Sequence, residues 1–77
     1  MKFFYSNMCS HCEDMKPVVE KLELEGLQIE KIDIDKASKE QLKELDKSCG
    51  GVPYFTNGGR KICGATDIGK LKELAKD

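Results

Sequence analysis

A Cys-x-x-Cys, Cys9-Ser10-His11-Cys12, lies between an apolar run and an amphipathic one, and it limits the folds open to this chain more than any other feature. The apolar run, Lys2-Phe3-Phe4-Tyr5, predicts a strand ending at Tyr5 or Ser6, covered on both faces because its apolar residues are consecutive. After the cysteines, Met15, Val18, Val19 and Leu22 recur at the spacing of one helical face. The motif therefore falls at a strand-to-helix turn, with the first sulfur at the helix start and the second one turn further in. Backbone N–H groups of a first helical turn have no intrahelical partner, and the helix dipole favours negative charge there. A thiolate at Cys9 is stabilised in that position and its pKa lowered. The i, i+3 spacing puts Cys12 on the same face, within reach of a disulfide.

The rest of the composition narrows the partners. The chain has 77 residues, enough for one domain with a small core. Thirteen Lys and Arg nearly balance fourteen Asp and Glu, so no basic excess points to nucleic acid. No apolar run approaches the length of a membrane span. The opening Met1-Lys2-Phe3-Phe4-Tyr5 is interrupted by Ser6 and Asn7, too early for a signal-peptide core. These features predict a soluble, cytoplasmic, monomeric protein. The four cysteines admit a secreted disulfide framework, a closed zinc site, or a redox pair plus two further cysteines. The third fits best. Nothing directs export, and Cys49 and Cys63 stand apart rather than forming the second knuckle of a zinc site, so no metal ligands are assigned.

Pro17 lies inside the first helical pattern and predicts a kink unless it falls in the first turn. Gly26 is a stop signal. A second strand is expected over residues 28–35, where Ile32 and Ile34 alternate with Asp33 and Asp35. Leu27 and Ile29 are out of phase with that pair, which predicts a bulge or a late start. Ser38 and Gln41 are spaced as a capping box opening a helix whose inner face carries Leu42, Leu45 and Cys49. Gly50-Gly51 ends it. Val52-Pro53-Tyr54-Phe55-Thr56 predicts a third strand, Asn57-Gly58-Gly59 a turn, and residues 60–63 the returning strand of a hairpin. Thr66 or Asp67 caps a last helix with Ile68, Leu71, Leu74 and Ala75 inward. The predicted order is βαβαββα, an α/β fold with a four-stranded mixed sheet flanked by three helices. Its first βαβ unit is a right-handed parallel pair, and the hairpin extends the same sheet.

This element order, with Cys9-x-x-Cys12 after the first strand, Val52-Pro53 opening the third and Gly64-x-Thr66-Asp67 before the last helix, resembles the glutaredoxin branch of the thioredoxin-fold family over essentially the whole chain. The resemblance implies a cis Pro53 whose loop packs against the redox pair. It implies that the Val52 backbone pairs with a bound peptide or glutathione like an added strand, and that Thr66-Asp67 meets the charged end of glutathione. Some positions differ from the family's common pattern. Ser6 stands where a lysine is frequent, Ser10 and His11 where proline and tyrosine are frequent, Glu13 where a basic residue is frequent, and Cys63 where glycine is usual. Pro17 is similar to thioredoxin proper, but the first strand lacks thioredoxin's buried carboxylate.

The residues then take roles. Cys9 is the expected nucleophile, attacking a substrate disulfide as the thiolate, and Cys12 the resolving thiol. His11, as imidazolium, would stabilise the Cys9 thiolate; Glu13 and Asp14 oppose it, and a solvated His11 is the alternative. Pro53, with no N–H to donate, keeps an edge open where Val52 offers backbone groups to an extended substrate. Thr66-Asp67 is either a plain N-cap or a seat for a glutathione carboxylate. Cys49 is expected to be buried as a small hydrophobe, with a third redox or metal thiol as the alternative, and Cys63 to be structural. Tyr5 and Tyr54 either flank the site or belong to the core. The function expected is a small thiol–disulfide oxidoreductase acting on disulfide-containing proteins or small disulfides. It needs no tightly bound cofactor and draws electrons from a reductase or a low-molecular-weight thiol, glutathione being one candidate co-substrate. The alternatives are an iron–sulfur carrier using Cys9 and an external thiol between two chains, and a zinc-stabilised interaction domain.

Overall fold

The computed structural model describes residues 1–76. Four strands and three helices alternate as β1 (Lys2–Tyr5), α1 (Ser10–Leu24), β2 (Glu30–Asp33), α2 (Lys39–Ser48), β3 (Tyr54–Asn57), β4 (Arg60–Cys63) and α3 (Ile68–Ala75). The sheet runs β2-β1-β3-β4. β1 is parallel to β2 and antiparallel to β3, and β3–β4 is an antiparallel hairpin. The fold is α/β with a mixed four-stranded sheet, in the element order predicted.

Strand alternation divides the core in two. Phe3 and Phe55 pair across β1 and β3 and stack at 4.7 Å between ring centroids. They meet Met15, Val19 and Leu22 of α1 and Leu71 and Leu74 of α3. Phe4 and Tyr54, one position along, face the opposite side and meet Ile32 and Leu45. The sheet is thus sandwiched between α1 with α3 on one face and α2 on the other. This double cover resolves the phase conflict in β2. Ile29 packs on the α1–α3 side and Ile32 on the α2 side, as alternation requires when both faces are buried. There is a late start at Glu30, opposite Lys2 where β1 begins, so the strand is shorter than the expected 28–35.

Local signals account for most boundaries. Ser38 caps α2 in a full capping box: its Oγ accepts from Gln41 N at 3.2 Å, and Gln41 Oε1 accepts from Ser38 N at 2.9 Å. At the end of α1, Gly26 adopts φ 101°, Leu27 N donates to Leu22 O and Gly26 N to Glu23 O, which is a Schellman closure. α1 continues through Pro17, which lies well beyond the first turn; the N–H it lacks costs the helix one bond. Arg60 donates to Glu73 O and Leu74 O, and Asn57 to Leu74 O at 2.8 Å, so the hairpin satisfies the last carbonyls of α3.

Two expectations need correction. β3 begins at Tyr54, not Val52, because Val52 and Pro53 belong to the loop that leads into it. Cys49 is not a free buried thiol. It is the C-cap of α2, half-buried against the Phe4–Leu45 core, and it is bonded to Cys63 with the Cα atoms 5.7 Å apart. The helical spacing placed Cys49 on the inner face correctly, but the helix ends there. Its sulfur therefore lies at the rim, against the end of β4. Cys63 pairs with Tyr54 across the hairpin and is exposed. Among the described residues, no helix is long and apolar enough to cross a membrane.

Phe55, fully buried at the centre of the sheet, carries the first test. Phe55→Ala should cost about 3–5 kcal/mol in urea unfolding. Leu24→Ala, at a side chain 89% exposed, should change stability by less than about 0.5 kcal/mol.

Candidate active site

The turn from β1 into α1 is built by Ser6. Its carbonyl accepts from Cys9 N at 3.3 Å and its hydroxyl from Met8 N at 3.2 Å, closing the chain so that Cys9 becomes the N-cap of α1. Cys9 has the extended backbone of a cap (φ −109°, ψ 116°), and its carbonyl accepts from Glu13 N at 3.1 Å. An N-cap normally offers a side-chain oxygen to the free N–H groups of the first turn. Here the acceptor is sulfur: Cys9 Sγ accepts from Cys12 N at 3.3 Å.

The two thiols are free and differ sharply in environment. Cys9 is half-buried and Cys12 is fully buried. The Cys9 thiol is held below its ordinary pKa, first by hydrogen bonding with the Cys12 side chain, with support from the backbone N–H groups of Cys12 and His11. Its partial burial and the Asp14 carboxylate oppose the shift. The Cys12 thiol is pushed up to about 11, first by burial and then by its hydrogen bond to Cys9. The backbone N–H of Ser6 and the charge of Lys16 act in the other direction. Cys9 is thus the more easily ionised sulfur of the pair, and Cys12 is held as the thiol at neutral pH.

The far side of Cys9 is formed by the loop before β3. The Val52–Pro53 peptide is cis. Cys9 Sγ lies 3.8 Å from Val52 O, as donor in the thiol form. Pro53 is buried, and its carbonyl accepts from Gly64 N at 2.8 Å, which fastens the loop to the end of β4. On ionisation Cys9 has no proton to donate, and the Val52 carbonyl is released for another donor. Val52 itself is half-buried.

The remaining candidates fall at varying distances from this centre. His11 is exposed, and the group through which it acts on Cys9 is its backbone N–H. Of the two acids expected to oppose a thiolate, Asp14 does so, while Glu13 is paired with Lys16 at 3.1 Å. Lys16 also sits 5.6 Å above the Tyr5 ring and favours ionisation of Cys12. Sequence reasoning passed over Lys16, although its i, i+3 spacing from Glu13 and its place one turn after Cys12 were visible. Asp67 is the N-cap of α3, its Oδ1 accepting from Lys70 N at 2.8 Å, so the plain capping role is realised. Thr66 Oγ1 is buried without a hydrogen-bond partner. The Thr66-Asp67 pair follows closely on Gly64, the residue that holds Pro53, and makes no hydrogen bond to Cys9. Tyr54 is a core residue, and Tyr5 is half-buried and stacked on Phe3.

Comparison with protein-family models gives no match, and comparison with curated proteins gives none either.

Alkylation should separate the two thiols. In the reduced protein, iodoacetamide at pH 7 should modify Cys9 at least about tenfold faster than Cys12, since only the thiolate reacts. The Cys9 rate should pass its midpoint below ~8.5, the pKa of a free thiol, whereas Cys12 should stay protected until the pH nears about 11. Cys12→Ala removes the foremost cause of the Cys9 shift and should move the Cys9 midpoint to higher pH. Peptide mass spectrometry after timed quenching reads all three outcomes.

Proposed function

We propose that this chain is a small thiol–disulfide oxidoreductase with a thioredoxin-like domain of glutaredoxin type, working through Cys9 and Cys12. The observation that carries the reading is the asymmetric pair: a half-buried sulfur accepting a hydrogen bond at a helix mouth, and a buried thiol one turn behind it. The cis Val52–Pro53 bond facing Cys9 supports the family assignment, as does the βαβαββα order.

The chemistry follows from the two environments. The Cys9 thiolate attacks one sulfur of a substrate disulfide. The substrate S–S bond breaks, the leaving sulfur takes the electron pair, and Cys9 is joined to the substrate. While Cys9 is a thiolate, its charge and its hydrogen bond help hold the proton on Cys12. Once Cys9 is in the mixed disulfide, both influences are gone and Lys16 still favours ionisation, so the Cys12 thiol becomes easier to deprotonate at the moment it is needed. Cys12 then attacks Cys9 Sγ, the substrate departs as a thiol, and Cys9–Cys12 is left oxidised. Two electrons have passed to the substrate, and a reductase or low-molecular-weight thiol, glutathione among them, restores the dithiol. The Val52 carbonyl, freed when Cys9 ionises, accepts an N–H from an extended substrate segment. Disulfide-containing proteins and small disulfides are the proposed substrates, and the cytoplasm the proposed compartment.

Cys12→Ser should trap the first intermediate. Mixed with an oxidised peptide or a small disulfide, this variant should accumulate a covalent adduct at Cys9, visible by mass spectrometry and reversed by excess thiol. Cys9→Ser should form no such adduct and lose at least about 99% of disulfide reduction, because no other accessible thiolate stands at the helix mouth. An adduct at Cys12, or undiminished turnover in Cys9→Ser, would contradict the assignment.

A further inference from the structure

The second cysteine pair lies at neither end of the thiol exchange just described, yet it frames the loop that faces Cys9. Cys49 ends α2, and Val52, whose carbonyl approaches Cys9 Sγ, is three residues further on. Cys63 ends β4, and the next residue, Gly64, donates its N–H to Pro53 O at 2.8 Å. The bond between them therefore closes a ring around residues 50–53 and 63–64. One side of the ring is covalent and the other is the Gly64–Pro53 hydrogen bond. Between the two sides, the backbone makes few other anchors: Gly50 N donates to Leu45 O, Gly51 is exposed, and Val52 is half-buried.

We propose that Cys49–Cys63 is a second thiol-exchange site, a reversible tie that holds the Val52-Pro53 loop against Cys9 when closed and loosens it when a small thiol opens the bond. Cys63 is exposed and Cys49 is half-buried, so an incoming thiolate reaches Cys63 Sγ first. The Cys49–Cys63 bond breaks, the electron pair passes to Cys49 Sγ, which takes a proton from water, and the attacking sulfur is joined to Cys63. A second thiol attacks that mixed disulfide at the reductant's sulfur and releases Cys63 as a thiol. Two molecules of thiol become one disulfide, and two electrons and two protons enter the pair. The leaving sulfur of Cys49 stands at a helix C-terminus, where the dipole disfavours negative charge. Lys47 in the last turn and Lys61, whose Nζ donates to Ser48 O at 3.3 Å, supply the compensating positive charge there. The reverse exchange closes the pair again: the disulfide formed from the two small thiols takes back the two electrons and two protons, so the ratio of small thiol to its disulfide sets how much of the tie is open. The consequence for Cys9 rests on the oxidoreductase reading above; the opening of the loop does not.

Titrating the intact protein with dithiothreitol buffers, alkylating at each point and counting tagged cysteines by mass spectrometry tests the exchange. Amide hydrogen exchange on the same samples tests the tie. Cys49 and Cys63 should be reduced together while the protein stays folded, and the Gly64 amide should then exchange at least about tenfold faster, with the amides of Phe3 and Phe55 unchanged. A Cys49→Ala/Cys63→Ala protein should show the same fast Gly64 exchange and reduce a small disulfide at least about threefold more slowly. A pair that stays closed in buffers that keep Cys9 and Cys12 reduced would overturn the proposal. So would an unchanged Gly64 amide, or equal acceleration at Phe3 and Phe55, which would make the bond a staple of the whole fold. If Gly64 responds as stated but neither form reduces disulfides, the tie stands and the oxidoreductase reading falls.

Discussion

The hydrogen bond from Cys12 N to Cys9 Sγ is the contact on which the rest of this structure turns. It is at once a helix cap and a thiolate stabiliser. As a cap, it lets α1 begin at Ser10 without a serine, threonine or aspartate in the cap position. As an electrostatic contact, it joins the leading influence, the hydrogen bond from the Cys12 side chain, in favouring ionisation of the more accessible sulfur of the pair. A helix start thus sets the chemistry of a residue that belongs to neither the strand before it nor the helix after it.

That contact has its geometry because the sheet behind it is covered on both faces. Phe3 is fixed by the α1–α3 layer and Phe4 by the α2 layer, so β1 has no freedom to rotate or slip. Ser6 then turns the chain within two residues of the strand's end and delivers Cys9 to the helix mouth. β3 is fixed in the same way through Phe55 and Tyr54, and it presents Val52 and Pro53 at the same end of the sheet. Two segments far apart in sequence meet because two neighbouring strands share one double-sided core. The difference between Cys9 and Cys12 follows from depth: one turn of helix carries the second sulfur out of water, and burial raises its pKa while its neighbour's falls.

The elements were legible wherever their signals are local. Ser38 with Gln41, Gly26 and the Asn57-Gly58-Gly59 turn each act within a few residues, and each marks its boundary in the structure as it does in the sequence. β2 was less legible because Ile29, just before the strand, and Ile32 within it serve opposite cores and so looked like a fault in one alternating face. Cys49 was misread for a tertiary reason. Helical spacing reports the face on which a side chain lies, but not that its helix stops there or that β4 brings Cys63 within bonding distance. At the site, the Cys-x-x-Cys spacing was sufficient to rank the two sulfurs. The pairing of Glu13 with Lys16, which leaves Asp14 as the acid opposing the Cys9 thiolate, depends on side-chain geometry that no single spacing specifies.

The central claim is that the Cys12 side chain and the N–H groups of the helix mouth together stabilise negative charge on Cys9. Cysteine labelled with carbon-13 at Cβ, titrated by NMR in the reduced protein, reports the ionisation of each thiol separately. The account predicts that the Cys9 signal moves through its transition below ~8.5, the value of a free thiol, and that the Cys12 signal moves only near about 11. A Cys9 transition at or above ~8.5, or the two signals moving together, would contradict it.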